Sequence, residues 1–216
     1  MYGALAADWP VLLLILGGFV AGALFYPHLP DRVPSHWNFR GEVDGYSSRL
    51  WGAIGIPLMN AGIYVLMTVL PAIDPRRQNY ARFAGVYRML KFILTAFLTM
   101  VYFLVLFNSL GFRVPVERVM PFSVSLLFLL IGNSMGKIRP NYFVGIRTPW
   151  TLASEQVWRK THRLGGFFFV GAGLTGMAAS LLGGATGGIV VLAALAAAII
   201  VPVVYSCIEY RRESRE

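Results

Sequence analysis

Charge is what this chain has least of: 13% of its 216 residues are Asp, Glu, Lys or Arg, against 56% hydrophobic. Soluble domains carry about 25% charged residues, so a soluble globular class is excluded. Cysteine is nearly absent as well. A single one, Cys207, makes no internal disulfide and no cysteine-based metal cluster, and reads as a small packing residue. Alternating strand patterning is missing, which argues against a membrane β-barrel. Acids are scarce beside bases, 10 to 19, giving a formal net charge of +9. In a membrane protein that excess needs no nucleic-acid partner, because basic residues collect in cytoplasmic loops.

What is present is six apolar runs: Trp9–Phe25, Trp51–Pro71, Met89–Leu110, Glu117–Met135, Leu164–Leu182 and Ile189–Cys207. Each is near the length of about 20 residues that carries a helix across a bilayer. The expected fold class is therefore an all-α integral membrane protein, a bundle of six transmembrane helices. Three blocks follow. Residues 1–71 hold the first two spans and an extracytoplasmic loop at 26–50, residues 72–135 the third and fourth, and residues 136–216 a cytoplasmic loop at 136–163 with the last two. The first run is read as a span rather than a cleaved leader, since Asp8 and no Lys or Arg precedes it. Placing both termini in the cytoplasm puts fourteen of the 19 Lys and Arg residues inside.

No ionisable residue lies near the middle of any run. Proton-coupled pumps and intramembrane hydrolases usually keep one there, so a binding protein rather than an enzyme is expected. No cofactor is expected. Asn60 and Asn108 would line the route of a transporter or facilitator, the alternative reading. Ala172, Gly176 and Ser180 form a small-residue stripe on the fifth run. With the short "GGATGG" turn, the last two helices are expected to be the most closely packed pair.

The outer loop, "YPHLPDRVPSHWNFRGEVDGYSSRLWG", is longer than a connection requires and is expected to be structured and to recognise something outside. His36, Asn38, Gly41 and Asp44 are the candidate sensing residues. His28, His36, Asp31 and Asp44 could hold a divalent metal, the basis of a third reading as a metal-dependent enzyme. Their spacing matches no metal motif, so no metal is assigned, and the competing reading is a cap whose polar groups bond one another. Trp37, Tyr46 and Trp51 suit the lipid headgroup level.

The inner stretch "GKIRPNYFVGIRTPWT" carries three cations, two prolines and no acid. Its second half reads as the start of an amphipathic helix, with Thr148 as cap and Pro149 at the first position. Trp150, Ser154, Val157, Trp158 and Thr161 fall on one face, and Glu155 and Arg159 pair four apart. Such a helix can lie in the headgroup plane and draw anionic lipid. His162 reads as an interfacial hydrogen-bonding residue. In the first half, the prolines and Gly145 fix the backbone path, and Arg139 and Arg147 can stack on Tyr142, Phe143 or Trp150. This is a rigid platform for a protein partner. Its candidate residues are Lys137, Arg139, Asn141, Tyr142, Gly145, Arg147, Thr148, Pro149, Trp150, Trp158 and His162.

"GNSMGKIRPNYFVGIRTPWTLASEQVWRKTHRLGG", residues 132–166, closely resembles the signature region of the Sdp toxin-immunity protein family. "LPDRVPSHWNFRGEVDGY", residues 29–46, resembles the small domain of unknown function that often precedes it. The resemblance implies a bacterial inner-membrane protein that gives resistance to a secreted peptide toxin. It also implies a receptor that holds a small DNA-binding autorepressor at the membrane when toxin is present. The partners implied are thus a peptide outside and a repressor inside, with no direct binding of nucleic acid.

Overall fold

A computed structural model describes residues 8–38 and 40–215. The expected side of the N-terminus falls on residues 1–7, outside the described ones, as does Phe39 of the outer-loop motif. Helix α1 spans Trp9–Phe25 and a 3-10 turn follows at Tyr26–His28. Strands β1 (Arg32–Trp37) and β2 (Val43–Ser48) form an antiparallel hairpin. Helix α2 (Arg49–Ile73) leads to a 3-10 segment at Arg77–Phe83 and then to α3 (Ala84–Ser109) and α4 (Val116–Met135). A short α5 (Pro149–Ala153), a long α6 (Glu155–Ser180) and α7 (Gly184–Glu213) complete the chain.

The fold is mostly helical, consistent with an all-α membrane bundle, and the outer loop, expected to be structured, is a two-stranded sheet. Its alternation escapes a periodicity reading because Pro34 and Gly45 occupy strand positions and the register shifts near His36. Among the described residues, five segments are long and apolar enough to cross a bilayer: Trp9–His28, Arg49–Ile73, Arg77–Ser109, Val116–Met135 and Gly184–Glu213. The expected fifth span, in α6, is not among them. Its charges crowd the first turns at Glu155, Arg159, Lys160 and Arg163, and its apolar part is diluted by Gly165, Gly166, Gly171, Gly173 and Gly176.

Those glycines serve packing. A β-carbon on Gly132 of α4 would come within 2.6 Å of the Phe169 β-carbon, and one on Gly173 of α6 within 2.7 Å of the Ser125 carbonyl oxygen. Bare backbone on both sides lets α4 and α6 approach closely, as small residues do between membrane helices. Consequently α6 packs more extensively on α4 than on α7, and the expected tightest hairpin is second.

The hairpin caps one end of the bundle. Leu29 and Val33 are buried against Ala21, Ala53, Tyr102 and Leu106, and the Tyr102 hydroxyl donates to the Ala53 carbonyl at 2.8 Å. At the other end, Tyr80, Phe83, Tyr87, Leu90, Ile138 and Trp158 form a second core. Between the two, Asn60 donates to the Thr95 carbonyl and to Thr99 Oγ1, at 3.2 and 3.1 Å. That is a helix-helix clasp.

Candidate functional site

Signature-end platform. Residues 137–154 wrap one end of the bundle, and each predicted platform residue now has a place. Asn141 is buried and organises the loop. Its amide donates to the carbonyls of Arg139 and Val144, at 2.9 and 3.0 Å. Its Oδ1 accepts the backbone N–H of Phe143 and Val144, at 2.9 and 2.6 Å. Thr148 caps α5 and accepts from the Thr151 N–H, while Thr151 Oγ1 accepts from the Thr148 N–H, so the two side chains close a capping box. Thr148 also meets Ser206 of α7 at 3.0 Å.

The predicted amphipathic helix is broken. At Ser154 the backbone turns extended (φ −130°, ψ 126°), and the serine hydroxyl caps a new helix by accepting from Gln156 and Val157 N–H groups. The following turns of α6 run straight into the bundle. Val157, Trp158, Thr161 and His162 are therefore buried in protein, with Trp158 fully inaccessible, and they do not lie against lipid. Glu155 and Arg159 do make the expected i,i+4 pair, at 3.9 Å on the exposed face.

His162 has a structural task. Its ring stacks on Trp158 with centroids 4.0 Å apart, and Trp158 Nε1 donates to the Ile138 carbonyl at 3.0 Å. The Ile146 N–H donates to His162 Nε2 at 3.0 Å, and Nδ1 lies 2.9 Å from the Trp158 carbonyl. An N–H aimed at Nε2 requires a lone pair there, so the proton sits on Nδ1 and the ring is neutral. Burial holds its pKa down at about 4. Gly145 adopts φ +111°, and a β-carbon on it would run into His162 Nε2. Glycine is required there twice over, by conformation and by space.

Lys137, Tyr142, Gly145, Arg147 and Pro149 are exposed, with Arg139 and Trp150 half-buried. Arg147 donates to the Tyr142 carbonyl at 2.8 Å and does not stack on it. The cation over the Tyr142 ring is Arg76, 5.2 Å from the centroid. Arg76 was missed by the sequence reading, as was the group around it. Buried Asp74 accepts from the Tyr142 N–H at 2.9 Å and from the Tyr80 hydroxyl at 3.0 Å. Asn79 donates to the Pro140 carbonyl at 2.7 Å. Asp74 is the lone acid in residues 72–91, a signal that could have marked it.

Also missed is a buried ion pair between Asp8 and Lys91, near the same end, with Tyr64 beside it. A second pair joins Lys160 to the buried Glu209 of α7. Both sit near helix ends, consistent with a middle kept free of charge.

Hairpin end. His36 Nδ1 meets Asp44, and Arg49 pairs with Asp31 at 2.7 Å. Asn38 Oδ1 accepts the N–H groups of Arg40 and Glu42, at 2.8 and 3.1 Å, while its amide donates to Glu42 at 2.8 Å. The polar groups thus bond one another, the competing reading of this loop. His28 lies on the 3-10 turn, and the predicted metal candidates are split between separate pairs. Among the described residues no three His, Cys, Asp or Glu side chains gather where one ion could be held. Tyr46 and Trp51 are exposed, as headgroup-level rings would be, whereas Trp37 packs on the core.

Comparison with known proteins fits this two-ended design. The sequence profile of the SdpI/YfhL protein family matches residues 137–206, which take in the platform, α6 and most of α7. A domain of unknown function, DUF1648, matches residues 13–61, which take in the hairpin and parts of its flanking helices. The chain is also 27% identical over 152 residues to the immunity protein SdpI of Bacillus subtilis, covering 70% of each chain. The chain is a multi-pass cell-membrane protein. No solved structure matches it.

Proposed function

We propose that this chain is an immunity protein of the bacterial cell membrane, giving resistance to a secreted peptide toxin. The likeness to the Bacillus subtilis immunity protein carries the reading, since it extends over 70% of each chain. In this account six helices cross the membrane. α6 is counted with the five apolar segments, as the fifth span in chain order, because it is sandwiched between α4 and α7, both long apolar helices. Both termini are cytoplasmic, the platform faces the cytoplasm and the hairpin faces outward, as the excess of basic residues at the platform end favours. The platform holds a small DNA-binding autorepressor through the exposed Lys137, Tyr142 and Arg147, and nearby Arg159 and Arg163 meet anionic lipid. The activity is binding and a shift of population between conformations rather than catalysis.

Expression in a toxin-sensitive bacterium tests this. Cells carrying the chain are expected to survive toxin that kills the parent strain; equal killing of both contradicts it.

One observation favours a second reading, a small facilitator. The Asp8–Lys91 pair sits in a cavity of about 360 Å³ with Tyr80, Tyr87 and Arg88, and Asp8 Oδ1 has no partner there. Solute flux in proteoliposomes that the Asp8→Leu, Lys91→Met double variant abolishes would favour it. The engaged amide of Asn60 speaks against a polar route along α2.

A further inference from the structure

Beneath the hairpin the bundle opens into a cavity of about 550 Å³. That lies within the range of about 300–1,000 Å³ typical of ligand pockets. Its walls are apolar and come from separate helices: Leu104 of α3, Val124 of α4 and Leu195 of α7 among them. Its rim is polar, built by His36, Asn38 and Asp44 of the hairpin and Glu117 of α4. The sequence-predicted sensing residues thus converge on one cavity. Gly41 joins them indirectly, since a β-carbon on it would lie 2.7 Å from the Glu117 carboxylate.

The two rim acids differ. Asp44 is occupied by His36. Glu117 is half-buried and makes no side-chain hydrogen bond or ion pair among the described residues. A carboxylate at the mouth of an apolar cavity interacts with a cation more strongly than it would in bulk water, because the local dielectric is lower. It also disfavours a phospholipid there, whose acyl chains would suit the walls but whose phosphate would face Glu117.

We propose that this cavity binds an apolar peptide segment bearing one cationic group, the apolar side chains between α3, α4 and α7 and the cation against Glu117. That such a peptide is a secreted toxin rests on the immunity reading; the chemistry of the site does not. An occupant would touch both the hairpin and the first turn of α4. The far end of α4 lies against the platform region, where a β-carbon on Gly165 would come within 2.9 Å of Met135 Sδ. A bound peptide is therefore placed to bias both ends through one helix.

The test uses the full chain in phosphatidylcholine nanodiscs and a synthetic, fluorescently labelled leucine-rich peptide with a single lysine. Its comparison is the same peptide with norleucine for lysine. The lysine peptide is expected to bind up to about fivefold more tightly than the neutral one, the effect of a single favourable charge pair. Glu117→Gln should remove that preference. Val124→Trp and Leu195→Trp, which fill the cavity from different helices, should each abolish binding of both peptides while keeping a cooperative thermal transition. Equal affinity for the two peptides overturns the proposal, as does wild-type binding by both tryptophan variants. Displacement of the peptide by phosphatidylethanolamine at equal concentration overturns it in favour of a lipid site. In sensitive cells, protection by wild type and equally by the filled variants overturns the site while leaving the immunity reading intact. Peptide binding that the filled variants lose, without protection by wild type, supports the site and removes the immunity reading.

Discussion

His162 Nε2 occupies the space that any side chain on residue 145 would need, and it takes the backbone N–H of the very next residue, Ile146. Loop and helix are thereby locked through one glycine and one imidazole. Replacing Gly145 with alanine should cost about 1–3 kcal/mol for the left-handed backbone alone, with the clash added to it. Thermal unfolding of purified protein in detergent should show a clear drop in midpoint. An unchanged midpoint would mean the loop is free to move away from His162.

The same contact makes stability depend on pH. The folded pKa of His162 is lowered from 6.5 to about 4, so the neutral ring stabilises the fold above the unfolded value. That contribution is lost as pH falls through 6.5 toward about 4, amounting to about 2 kcal/mol by about pH 5. Denaturation measured between about pH 7 and pH 5 should reveal it. His162→Asn should be less stable at neutral pH but flatter across this window. His28 and His36 remain in that variant, so the difference isolates His162.

Asp8 and Lys91 are both buried, and each depends on the other. Breaking such a pair from one side leaves an uncompensated charge. Lys91→Met alone is expected to destabilise by about 3–5 kcal/mol, whereas adding Asp8→Leu should recover most of that loss. A double-mutant cycle on thermal or denaturant unfolding reads it directly. Additive losses would show that the two charges do not support each other.

The placement of the two ends can be measured. In a Cys207→Ser background, a cysteine replacing Tyr46 should react with a membrane-impermeant maleimide in intact cells, and one replacing Lys137 only after lysis. The reverse pattern would invert the assigned topology.

Much of this was legible in the sequence. Runs of apolar residues mark the helices because bilayer thickness dictates their length. Thr148 and Pro149 mark the start of α5, since capping is a local rule. What failed to show is what depends on distant parts of the chain. Trp158 and His162 have the spacing of a lipid-facing stripe, and helical periodicity cannot say whether a face meets lipid or protein. Ser154 ends one helix and caps the next, and a polar residue on an amphipathic face does not announce a break. The Asp8–Lys91 pair and the anchoring of Tyr142 by Asp74 each join residues far apart in sequence. The cavity draws on the hairpin and several helices, so no single stretch foretells it.

The central claim is that this chain senses a peptide at the hairpin end and holds a cytoplasmic protein at the platform end. Capture of the autorepressor by membranes containing the chain, with and without toxin, measures it most directly. Wild type should retain more repressor when toxin is present, and Arg147→Ala should retain little in either condition. Equal capture by wild type and Arg147→Ala, or capture indifferent to toxin, would contradict it.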